Sequence, residues 1–106
     1  MQIAFYRKYE VSDDQTIHID LVKNDIGNRV ISVLYITGKN LNGIKVEGYT
    51  DNAEDPAELT GVNIATLDIG VYADDAPIMY VVEPYSSVNI TFDAGSDASA
   101  IVKGVY

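Results

Sequence analysis

The one histidine of this 106-residue chain, His18, lies in "TIHID" (16–20). Histidine is the side chain best suited to proton transfer near neutral pH. Here, however, Thr16, His18 and Asp20 alternate with Ile17 and Ile19, so it reads as one polar position on the solvent face of a strand. No Ser or Asp lies at a spacing that would complete a nucleophile–base set around it. The acidic residues offer a second chemistry. "DNAEDPAE" (51–58) and Asp74-Asp75 carry hard oxygen donors of the kind calcium takes, but without the alternating Asp/Asn spacing of an EF-hand loop they read as solvated loop acids. A glycosidase needs two carboxylates across a cleft, and a chain of this length has little material to build one. With no cysteine, zinc fingers, iron–sulfur sites and thiol nucleophiles are excluded. A Gly-rich phosphate loop is absent, and the sequon "NIT" (89–91) reads as chance without a signal peptide. The expectation is a protein that is not an enzyme, with no catalytic residue, no metal site and no cofactor.

Tyrosine is the more informative residue. Eight tyrosines and no tryptophan cannot all fill one small core with their hydroxyls satisfied, and tyrosine is favoured both in strands and in interfaces. Some are expected on the surface, two or three of them in a contact patch for a protein or a sugar. The candidate interface is Phe5, Tyr6, Tyr9, Tyr35 and Tyr106.

Charge placement points the same way. The net charge of -9 repels phosphate backbones and anionic lipid, so neither nucleic acid nor membrane is an expected partner. Residues 1–45 are nearly neutral, carrying Arg7, Lys8, Lys23, Arg29, Lys39 and Lys45 against five acids. From Val46 to Val102 there is no Lys or Arg. This distribution predicts a two-faced molecule that docks through its N-terminal region and turns an acidic side to solvent. Arg7 and Lys8 interrupt what would be the apolar stretch of a signal peptide, which predicts a soluble protein made in the cytosol.

The elements that must position these residues are strands. "QIAFYRKY", "TIHIDLV", "IKVEGY", "NIATLDIGVY" and "SVNITF" alternate with period two, while "RVISVLYIT", "PIMYVVE" and "AIVKGVY" are apolar on both faces, as in strands covered on each side. The last of these predicts a paired, covered strand near the N-terminal one or at a subunit contact. "GKNLNG" (38–43) and "DAGSD" (93–97) have the chemistry of turns between strands. "DPAELTG" (55–61) has a cap, a first-turn Pro and a capping-box Glu, which allows at most one short helical turn near residues 56–60. The prediction is an all-β fold: a single compact β-sandwich domain over residues 1–106, of immunoglobulin-like or jelly-roll type, with about eight strands.

Two stretches resemble known families. "EPYSSVNITFDAGSDASAIVKGVY" (83–106) is similar to the closing hairpin of small decoration (cement) and related accessory proteins of tailed-bacteriophage virions. That resemblance implies a compact, often trimeric β-domain that binds the major capsid protein and stabilises the outer capsid lattice. "VLYITGKNLNGIKVEG" (33–48) is similar to the opening of IPT/TIG immunoglobulin-like domains, though it lacks their small Gly-rich run before the first strand. The leading expectation is a structural protein on the outer surface of a phage capsid, synthesised in the host cytoplasm. The alternative is an immunoglobulin-like carbohydrate- or receptor-binding module.

Overall fold

A computed structural model describes residues 3–23, 29–50, 55–67, 69 and 77–106. Among them there are nine strands and no helix: β1 (Ile3–Val11), β2 (Thr16–Asp20), β3 (Val22–Lys23), β4 (Arg29–Val30), β5 (Val33–Tyr49), β6 (Ala57–Leu59), β7 (Val62–Asn63), β8 (Ile78–Val81) and β9 (Ser87–Val105). The all-β reading holds.

The organising element is the pair β5 and β9, antiparallel along nearly their whole lengths. A straight strand rises about 3.3 Å per residue, so these two would span roughly 56 and 63 Å. The molecule is 39 Å in its longest dimension. Both strands therefore bend, and the register shows where, with shifts between Lys39 and Leu41 and between Leu41 and Gly43. Asn40 (φ 58°) and Asp97 (φ 54°) take left-handed backbone there, and the Asn40 side-chain amide donates to the Asp97 carbonyl at 3.3 Å. The neighbouring β1–β2 connection turns at the same corner through Asp14 (φ 61°). Its N–H donates to the Phe92 carbonyl at 2.8 Å, and the Phe92 N–H donates to the Gln15 carbonyl at 2.9 Å. Asp13 adds a carboxylate that accepts from the Ala94 N–H at 3.1 Å.

The corner divides the main sheet into two halves. In the first, β1, β9, β5, β8 and β7 lie side by side; in the second, β2 flanks the start of β9 and β6 flanks the end of β5. One apolar cluster joins the inner faces of both, with Leu34, Ile36 and Val102 from the first half and Ile19, Val46, Val88 and Ile90 from the second. Gly48 belongs to this inner face, and a Cβ there would stand within 3 Å of the Tyr85 ring. Its bare backbone is what lets that ring lie flat on the sheet.

Three expectations are corrected. "GKNLNG" and "DAGSD" do not reverse the chain; they are the corner of two continuous strands. Consequently "SVNITF" and "AIVKGVY" form one strand, β9, and not the closing hairpin on which the phage resemblance rested. "DPAELTG", allowed at most one helical turn, forms none: Ala57–Leu59 is extended because Leu59 pairs with Val46 at the core edge and tertiary pairing overrides helix propensity. "NIATLDIGVY" leaves its strand after Asn63, whose side-chain oxygen accepts from the Ala65 and Thr66 N–H groups at 2.9 and 3.2 Å. Ala65, Leu67 and Ile69 are then exposed, while Val71 lies outside the described residues.

Candidate interaction face

The outer side of the first half is built from strand parity. Tyr6 of β1 lies opposite Lys103 of β9, Lys103 opposite Tyr35 of β5, Tyr35 opposite Met79 of β8, and Met79 opposite Val62 of β7. Directly opposed residues of antiparallel strands point to the same side, so these five side chains form one row across the sheet. A bridge from Val62 carries the row on to Ile69. The adjacent row on the same side is Ile3, Val105, Val33 and Val81. Lys8, Ile101 and Thr37 form the row on the other flank.

Two rows of three are almost wholly apolar, and among the described residues no layer covers them. Ile3 is 55% exposed, Tyr6 64%, Ile69 72% and Val81 58%. β5 was expected to be covered on both faces. Only its inner side, Leu34 and Ile36, is buried, whereas Val33, Tyr35 and Thr37 stand half-buried on the outer side. Val105 is buried yet lies outside the core cluster. Near the middle is a shallow depression of about 380 Å³ lined by Tyr6, Tyr35, Thr37, Pro77, Ile101 and Lys103. Exposed apolar side chains grouped on one side of a sheet are a common mark of interaction surfaces, which makes this side the candidate interaction face.

The outer side of the second half has the opposite character. Thr16, Thr91 and Lys45 form one row, His18, Asn89, Glu47 and Glu58 the next, and Asp20, Ser87 and Tyr49 the third. Hydrogen bonds link them laterally. The hydroxyls of Thr16 and Thr91 are 2.9 Å apart, and the Asn89 amide donates to the Tyr49 hydroxyl at 3.2 Å. Paired rows thus carry Lys8, Lys39 and Lys103 against Glu10 on the apolar side, and mainly acids on the polar side. The molecule is two-faced, but its faces are set by the corner and not by the N- and C-terminal parts of the chain.

His18 sits on the polar side, with Nδ1 2.7 Å from Asn89 Oδ1 and Nε2 3.1 Å from Asp20 Oδ1. Both ring nitrogens face acceptors, so the doubly protonated ring satisfies both at once. The Asn89 hydrogen bond is the larger cause, and Asp20 the second, of a His18 pKa raised above 6.5. A group whose folded pKa is raised lends stability that is fully present below the unfolded pKa and is lost as pH rises through the folded one. The ring is more than half exposed, so the effect is small. The expected result is a His18 ring-proton NMR titration centred above 6.5 in wild type, returning toward that value in Asn89→Ala. An unshifted wild-type midpoint would remove the ladder from the account.

The expected interface residues are separated by the same parity. Tyr6 and Tyr35 meet on the apolar outer face. Phe5 and Tyr9 lie on the inner side of β1 and pack against the core, as does Tyr106, whose ring carries the Arg29 guanidinium 4.1 Å from its centroid. Missed from sequence were Ile3, Lys103, Met79, Val81 and Ile69; the two-sided apolar runs "AIVKGVY" and "PIMYVVE" were the signal, read as a sign of cover. Of the tyrosines described, Tyr80 alone is buried, and burial pushes its hydroxyl pKa up to about 12. Asp51 to Glu54, Asp74 and Asp75 lie outside the described residues, and among the described ones no group of three His, Cys, Asp or Glu is placed to hold a metal ion.

The architecture is therefore an all-β fold in which one bent two-strand ribbon serves both halves of the sheet. A crystal structure of the SPBc2 prophage-derived protein YomS is similar to it, with a TM-score of 0.61 over 100% of this chain and 99% of that one, at 12% sequence identity. At that identity the likeness is one of fold. No family model matches the chain, and no curated protein matches it in sequence.

Proposed function

We propose that the protein is a non-enzymatic structural component of a phage particle, a decoration protein that binds and stabilises the capsid lattice through the outer side of the β1-β9-β5-β8-β7 half. The observation that carries this reading is the apolar double row, uncovered among the described residues, that runs from Ile3 and Tyr6 to Val81 and Ile69. A full-length fold likeness to a prophage-derived protein supports the phage setting, in place of the hairpin resemblance that the structure removed. The net charge of -9 is repelled by packaged DNA, which favours the outer surface of the shell, after synthesis in the host cytoplasm.

The mechanism is burial. Fully covering a large apolar side chain contributes about 1.5–3 kcal/mol, and four side chains here are already half or more exposed. Repetition over a lattice multiplies a modest single contact by avidity. Lys103 sits amid the patch, and a cation desolvated there needs a partner carboxylate. The polar, mainly acidic face then points to solvent. The partner is the major capsid protein or another virion protein.

A second reading rests on the depression beside Tyr6 and Tyr35. Two aromatic rings with Thr37 and Lys103 are groups that hold a sugar, as in a carbohydrate- or receptor-binding module. Co-sedimentation with assembled capsids and a glycan array separate the two: saturable capsid binding lost in Tyr6→Glu/Val81→Glu supports decoration, whereas a saturable glycan hit without capsid binding replaces it.

A further inference from the structure

The longest strand edge left open among the described residues is that of β1, nine residues paired to β9 on one side only. Half of its backbone N–H and C=O groups therefore point outward, a template for another strand. Edge strands are commonly protected by charge, and β1 carries Arg7, Lys8 and Glu10. Their order makes one pairing an exception. If two copies meet edge to edge about a two-fold axis normal to the sheet, an outer-side residue must lie opposite another outer-side residue, so the two numbers of every opposed pair sum to an even constant. With Lys8 on the axis, Lys8 meets Lys8; with Glu10 on it, Glu10 meets Glu10; with Arg7 on it, Arg7 meets Arg7. With Tyr9 on the axis, Lys8 lies opposite the partner copy's Glu10, twice over.

We propose that the protein pairs with a second copy of itself through β1, antiparallel and with Tyr9 on the two-fold axis. Neither Lys8 nor Glu10 makes an ion pair with a described residue of its own chain, so both are available, and directly opposed charges of opposite sign stabilise a strand pair while like charges destabilise it. The arrangement is isologous and closed. It joins the two β1-β9-β5-β8-β7 halves into one sheet of ten strands and places both apolar outer faces on the same side, doubling the surface presented to a partner. It predicts two copies, in place of the three expected from the sequence resemblance whose hairpin the structure removed. The pairing is independent of what the outer face binds, so it is tested on the protein alone.

Sedimentation equilibrium across a concentration series is the test. Wild type is expected as a monomer–dimer system. Lys8→Glu and Glu10→Lys, each creating two like-charge contacts, are expected to weaken dimerisation by roughly tenfold or more, and Lys8→Glu/Glu10→Lys is expected to restore it. A single cysteine at Tyr9→Cys gives an independent reading, because opposed Cα atoms about 4.5–5.5 Å apart fall within disulfide reach and the chain has no other cysteine. A wild type that is monomeric at all concentrations, a trimer, or a dimer indifferent to both single charge changes would overturn the proposal.

Discussion

Deleting Gly104 to Tyr106 abolishes folding, seen as loss of a cooperative thermal transition by circular dichroism. The three residues end β9 where it is enclosed by two strands. Gly104 pairs with Phe5 on one side and Leu34 on the other, and Val105 pairs with Ile3 and Val33. The Val105 carbonyl accepts from the Ser32 N–H at 2.9 Å, which ties the start of β5 to the sheet. Beneath Gly104 lie Ile31 and Leu34, so close that a Cβ would meet them at 3.2–3.3 Å. Removing this corner uncovers two side chains that are now 0% exposed, frees the first turn of pairing of β1 and strips Arg29 of the Tyr106 ring. Exposing two large aliphatic residues costs about 3–6 kcal/mol on transfer alone, and a chain of this size has a total stability of about 5–15 kcal/mol. A truncated protein that still unfolds cooperatively near the wild-type temperature would show that β9 is dispensable beyond Lys103.

Phe92→Ala destabilises the protein by about 3–5 kcal/mol, measured as a lower urea midpoint with an unchanged slope. Phe92 is the largest fully buried side chain among the described residues and stands at the corner, opposite Ile44. Its backbone is bonded on both sides to the β1–β2 turn, so the surrounding chain cannot close over the void, and a cavity that cannot collapse carries the larger penalty. Tyr6→Ala on the outer face is expected to change stability by no more than about 0.5 kcal/mol. The contrast matters functionally: it allows the proposed docking face to be altered without unfolding the scaffold. A Phe92→Ala loss below that of Tyr6→Ala would mean that the core is not where the structure places it.

Alternation was legible wherever one face of a strand meets water. "TIHID" gave the correct inner and outer sides of β2, and "AIVKGVY" its pairing beside β1. What misled was chemistry shared by two outcomes. Asn and Asp tolerate left-handed backbone in a hairpin turn and in the bend of a continuous strand alike, and nothing local to "GKNLNG" distinguishes them except Leu41, an apolar residue that is buried at the corner. Likewise, a strand apolar on both faces is a covered strand in a completed assembly and an uncovered one in a single chain. That is why Tyr6 and Tyr35 stood among the candidate interface residues while Lys103, Met79 and Val81, from the same rows, did not. Phe5, Tyr9 and Tyr106 were drawn in by residue type alone; register, which depends on the bulge between Ile3 and Phe5, turns Phe5 and Tyr9 inward, and core packing claims Tyr106.

The proposed docking face is tested most directly by co-sedimentation of three folded proteins with purified capsids: wild type, Tyr6→Glu/Val81→Glu on the apolar face, and Thr16→Glu/Thr91→Glu on the polar face. Binding by wild type and by the polar-face variant, with loss in the apolar-face variant, is the predicted result. Equal binding by all three, or loss confined to the polar-face variant, would contradict it.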